Sequence, residues 1–212
     1  MKNVIFFLSV ILFFSCSKKE ASTFTEMKSD ELLSESFTDS ELENLAKIVD
    51  FFESQICSDT NENIENCYND FLRKDSINLV DDNFMKTIDY EKQTLLYSEL
   101  DSVFFNDFFD VGIGRTFQEN NTEIKYEYYH LKVVEKYGDF LKKLSKIDKF
   151  KNEYYIAVER SNELISPTTP VILTLFYKNW SKKDIKVRLI YSFHYLIFNE
   201  EYIKRVNKKT TK

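Results

Sequence analysis

Three glycines and two prolines must serve every turn of a 212-residue chain. A sandwich or barrel of short strands needs turn residues at each reversal, so this scarcity favours long helices with short connections. The expected fold is all-α, a single domain of about 6–8 helices, and a chain this long can bury roughly 70% of its unfolded surface in one core. One stretch keeps an α+β alternative with a C-terminal strand open. Ile185, Val187, Leu189, Tyr191, Phe193, Tyr195 and Ile197 alternate like a strand, yet Ile185, Leu189, Phe193 and Leu196 also fit a helix. The cap formed by Ser181 and Asp184 and the length of 185–198 favour the helix.

The individual helices follow from caps and periodicity. Thr38 and Glu41 fit a capping box, with Phe37 and Leu42 as a hydrophobic staple. Leu42, Leu45, Val49, Phe52 and Ile56 then form one apolar face ending at Cys57. Ile64, Cys67, Tyr68, Phe71 and Leu72 mark a second helix, and Asp81-Asp82-Asn83 a connecting loop. A third is expected over about 89–110 from the stripe Leu96, Leu100, Val103, Phe104 and Phe108. A fourth is expected from Thr122 through Ile124, Tyr128, Leu131, Val134 and Leu141, with Gly138 as a candidate bend. A fifth follows through Phe150, Tyr154, Val158 and Leu164. Ser166-Pro167 should open another helix before the apolar run 171–177.

Residues 1–15 do not belong to that domain. Lys2 precedes an eleven-residue apolar run, Val4 to Phe14, too short to span a bilayer as a helix of roughly 20 residues. Ser15 and Cys16 follow, then polar Ser17, Lys18, Lys19 and Glu20. The layout resembles a bacterial lipoprotein signal, departing from it where Phe13 stands in place of the usual Leu. The resemblance implies cleavage before Cys16, lipidation of that cysteine and attachment to a membrane. Ser17 lacks the acidic inner-membrane retention signal, which points to the outer membrane, with periplasmic and surface faces both open. Residues 16–37 read as a lipidated cysteine and flexible tether, 38–206 as the helical domain and 207–212 as a basic tail.

Charge narrows the partners. The chain carries −6, and cleavage before Cys16 removes one base, Lys2, and no acid, leaving −7 from 28 bases and 35 acids. Such a balance disfavours nucleic acid and anionic membrane surfaces. The 20 Phe and 13 Tyr accompany abundant Ile, Asn and Lys, as A/T-rich codons would produce without any aromatic binding role. Cys57 and Cys67 flank a short polar turn; in an oxidising envelope an even pair reads as a disulfide. Metal-ligand spacing and a Cys-x-x-Cys redox pattern are both lacking, and no cofactor or metal is expected.

Three sets of residues remain as candidate surfaces. Asp107 and Asp110 close the expected third helix at the unfavourable end of its dipole, with Arg115 placed to return against them. The competing account is a helix stop with a surface ion pair. Gly112-Ile113-Gly114 follows a helical pattern and lacks the rest of either nucleotide fingerprint. Tyr126, Tyr129 and Tyr137 fall off the fourth stripe, as an exposed patch or a glycan or small-molecule pocket, or half-buried in ordinary packing. Asp75-Ser76-Ile77 and Asp101-Ser102-Val103 resemble the acceptor of Bacteroidota O-glycosylation. Ser76, expected in a loop, is the site that likeness implies.

The cysteine anchor, Phe51 to Cys57, Glu135 to Leu141, Ile165-Ser166-Pro167 and Arg188 to Leu196 together resemble an uncharacterised group of Bacteroidota lipoproteins, which brings no activity with it. Nor do the residues supply one. His130 and His194 are far apart, His194 reads as a packed core residue, and no nucleophile elbow or zinc motif is present. The expected role is a membrane-tethered, non-catalytic protein-interaction module with an envelope protein as partner. Glycan or small-molecule binding, and an acidic immunity-type protein against a basic toxin, are the alternatives.

Overall fold

A long helix, buried on every side from Val187 to Ile197, organises the molecule. In the computed structural model, which describes residues 22–57, 63–78, 87–118, 121–133, 135–147, 149–161 and 180–210, the chain is mostly helical with one two-stranded antiparallel sheet. The helices are α1 (Thr23–Ser29), α2 (Glu31–Ser36), α3 (Asp39–Ile56), α4 (Ile64–Asn78), α5 (Tyr90–Glu99), α6 (Ser102–Phe108), α7 (Lys136–Ser145), α8 (Lys149–Ser161) and α9 (Ile185–Thr210). The strands are β1 (Phe109–Phe117) and β2 (Glu123–Leu131), between α6 and α7.

Helix α9 settles the ambiguous stretch. Val187, Leu189, Ile190, Tyr191, Phe193, Tyr195, Leu196 and Ile197 are all buried. A helix enclosed by α1, α3, α5 and the sheet needs no polar face, so its sequence carries no clean period. The helix also runs on to Thr210, into the stretch 207–212 read as a basic tail.

Helix α3 begins at the capping box as its sequence indicates, with Thr38 and Glu41 each taking the other's backbone N–H. Its Phe52 packs edge-on to Phe71 of α4 and stacked on Tyr195 of α9, with ring centroids 5.5 and 5.9 Å apart. Cys57 and Cys67 are joined by a disulfide, their Cα atoms 5.0 Å apart.

Three expectations are corrected. The segment read as a flexible tether is folded from Ser22: Met27 and Leu33 are completely buried. Three of its polar residues bond the core helices. Thr23 donates to Asp50, Glu26 accepts from Arg188 at 2.6 Å, and Asp30 pairs with Lys186. The single helix expected over 89–110 is broken at Leu100–Asp101, where the Asp101 carboxylate takes the N–H groups of Val103 and Phe104 and caps α6. The helix expected from Thr122 is β2 followed by α7. Gly138 lies inside α7, where a Cβ would sit 1.9 Å from the Val133 carbonyl oxygen; close approach explains it. The Asp81-Asp82-Asn83 loop, Leu164, Ser166-Pro167 and the run 171–177 lie outside the described residues.

Candidate functional site

The strands pair antiparallel with Phe109 opposite Leu131 and Phe117 opposite Glu123. Gln118 N–H donates to the Thr122 carbonyl at 3.0 Å and Lys132 N–H to that of Phe108 at 2.8 Å. These bonds at both ends fix the ladder: even-numbered residues of β1 exchange hydrogen bonds with β2, and odd-numbered ones turn their N–H and C=O away from it.

The inner face of the ribbon explains the Gly-x-Gly sequence. Gly112 lies opposite Tyr128 and Gly114 opposite Tyr126. A Cβ on Gly112 would meet the Tyr128 ring at 2.9 Å, and one on Gly114 would meet that of Tyr126 at 2.2 Å. The glycines make room for two tyrosine rings laid across the neighbouring strand. Tyr126 then donates its hydroxyl to Glu201 of α9. Burial, reinforced by that carboxylate, pushes the phenol well above its ordinary value, so it stays protonated and donating.

The outer face is different. Val111, Ile113 and Phe117 are 51, 65 and 59% exposed, although large and apolar. Between Ile113 and Phe117 stands Arg115, directly opposite Lys125, and its nearest carboxylate oxygen among the described residues is that of the diagonal Glu123 at 3.8 Å. Like charges directly opposite are destabilising. At the base of this face Tyr129 is half-buried in an aromatic cluster with Phe105 and Tyr97.

The other predicted residues disperse. Asp107 pairs with Lys136 at 3.2 Å, Asp110 accepts the N–H of Val111 at 2.8 Å, and Arg115 lies further along the strand, so the three make no common site. The tyrosines do not share a surface: Tyr126 is on the inner face, Tyr129 on the outer, and Tyr137 is buried against Phe140 and Phe193. A pocket lined by all three is therefore not formed. Ser76 lies within α4 rather than a loop, whereas Ser102 is exposed at the start of α6.

Sequence reasoning missed several polar groups of the interior. Arg188 of α9 makes two bonds to Glu53, at 2.6 and 2.9 Å, as well as the one to Glu26. Burial opposes its charge, but these carboxylates outweigh that and hold the guanidinium above its usual value. His194, by contrast, is the packed core residue its sequence context indicated: it is buried with neither ring nitrogen hydrogen-bonded, and burial lowers its pKa to about 3. Lys182, also buried, donates to the Trp180 carbonyl at 2.7 Å; desolvation lowers it to about 8. Arg188 thus joins α9 to both α1 and α3.

A shallow cleft of about 370 Å³ between α2 and α7 is lined by Lys136, Lys142, Lys143, Lys146, Asp139 and Phe140. Lys136 is engaged by Glu41 and Asp107, and Lys143 by the Glu35 carbonyl and Ser36 hydroxyl, each at 3.3 Å. Lys142 and Lys146 end α7, where cations complement the helix dipole. Among the described residues no group of three His, Cys, Asp or Glu side chains is placed to hold a metal ion, and no helix is long and apolar enough to cross a membrane. No protein-family model, curated protein or solved structure matches the chain.

Proposed function

We propose that this chain is a bacterial envelope lipoprotein, cut before Cys16 and held through that lipidated cysteine at the outer membrane, and that it serves as a non-catalytic protein-interaction module. One observation carries the interaction reading: the outer face of the hairpin exposes Val111, Ile113 and Phe117 on a strand that no other strand covers among the described residues. The likeness to lipoproteins in the first twenty residues supports the anchor. Five residues lie between Cys16 and Ser22, the first described residue, so the connection spans at most about 20 Å at full extension. The hairpin would then meet envelope proteins close to a membrane surface.

Two variants test the proposal in cells. Cys16→Ser should move the protein from the membrane pellet to the soluble fraction; retention in the pellet would remove the lipid anchor. A photo-crosslinking amino acid at Ile113 should give a discrete protein adduct that is absent when the same group replaces Ile147, an exposed residue elsewhere. No adduct at position 113, or the same adducts at both positions, would overturn the interaction reading.

A further inference from the structure

We infer that the free edge of β1 receives an extended segment of a partner protein whose outward side chains run apolar, acidic, apolar against Ile113, Arg115 and Phe117. The inference rests on the interaction reading above and specifies the chemistry of its partner.

The backbone supplies the edge. Ile113, Arg115 and Phe117 point their N–H and C=O groups away from β2 by the register, and among the described residues nothing takes those N–H groups. Val111 differs, because the Asp110 carboxylate accepts its N–H, so the open stretch starts after it. The outer edge of β2 is not equivalent. Glu200 of α9 faces the backbone N–H of Tyr129, and β2 packs along that helix. An added strand has β1 as its accessible side.

The side chains specify what the strand must carry. A segment paired with β1 sets its outward residues beside Ile113, Arg115 and Phe117 on one face. The flanking positions offer exposed apolar surface. The centre holds the cation pair Arg115 and Lys125, with the Glu123 oxygen 3.8 Å from the guanidinium. A carboxylate opposite Arg115 relieves that pair, whereas an ammonium adds to it. A second copy of the chain does not fit: the outward residues of β1 are Phe109, Val111, Ile113, Arg115 and Phe117, and none is acidic, so no register of β1 self-pairing brings Arg115 a carboxylate. A charged residue on an open edge also deters such self-association.

The test uses the full-length chain in detergent micelles and two fluorescent synthetic peptides, Thr-Val-Thr-Glu-Thr-Val-Thr and its Glu→Lys counterpart. The sequence reads the same in both directions, so parallel and antiparallel addition are probed together. The glutamate peptide should bind about tenfold or more tightly than the lysine peptide, with a difference that shrinks as salt rises. Hydrogen–deuterium exchange of 111–117 should slow on binding, and Arg115→Glu, at an exposed position, should invert the preference. Equal affinities, no binding, or unchanged exchange in this segment would overturn strand addition. Protection that grows with protein concentration and without peptide would identify a second copy instead and overturn it as well. If both peptides fail while the Ile113 adduct forms in cells, the strand inference falls and the interaction reading stands; without that adduct the reading itself falls.

Discussion

A Cβ placed on Gly114 would lie 2.2 Å from the ring of Tyr126, its partner across the hairpin. No glycine of the described chain has a positive φ, so space for the ring, not backbone freedom, requires glycine here. Gly114→Ala should destabilise the fold by about 1–3 kcal/mol through overpacking. In a Tyr126→Ala background the same change should be neutral or favourable, since alanine suits a strand better than glycine. Urea unfolding of the four proteins in this cycle checks it; an equal cost in both backgrounds would exclude the ring as the cause.

Arg188 and Glu53 test the interior charge network. Removing the arginine leaves a buried carboxylate without its two bonds, so Arg188→Met should cost about 3–5 kcal/mol. Adding Glu53→Gln should restore part of that loss, because the stranded charge is gone. Additive losses in chemical denaturation would mean that the two side chains are not energetically coupled.

His194 predicts a pH dependence. Its pKa is lowered to about 3 by burial, against about 6.5 in an unfolded chain. Between these values the unfolded state binds the proton and the folded state does not, so stability rises with pH through this window and falls on acidification. The slope approaches about 1.4 kcal/mol per pH unit. His194→Leu should remove that increment, which the difference between native and variant unfolding curves at pH 7 and pH 5 would reveal. Parallel pH profiles would contradict it.

The Cys57–Cys67 bond closes a loop with a sequence separation of 10. By loop-closure entropy its removal should cost about 2–3 kcal/mol. Thermal unfolding of the Cys57→Ala, Cys67→Ala double variant gives the figure, and an unchanged melting temperature would count against a stabilising role.

Caps and a 3.6-residue period made α3, α4 and the entry to α9 legible. The hairpin was not, because Ile124 and Tyr128 are four residues apart and share a face in a helix and in a strand alike. Tyr126 carried the distinguishing signal: it lies off the helical stripe but in line with Ile124 and Tyr128 at a two-residue period. Asp101-Ser102 was a cap hidden inside an apolar stripe. At the N-terminus, Glu26 and Asp30 looked like linker composition because their partners, Arg188 and Lys186, stand 162 and 156 residues away. The exposed stripe on β1 emerged only with the register, which alone says which of its side chains turn outward.

The docking of α1 on α9 also has a mechanical meaning. A pull applied at the N-terminus meets no slack beyond Ser22; it reaches α1 at once and passes through Glu26 to Arg188, in the middle of the hydrophobic interior. The same guanidinium grips α3 through Glu53. Tension applied at Ser22 is thus shared among three helices before any of them is peeled away, and a chain pulled from that end is gripped at its core.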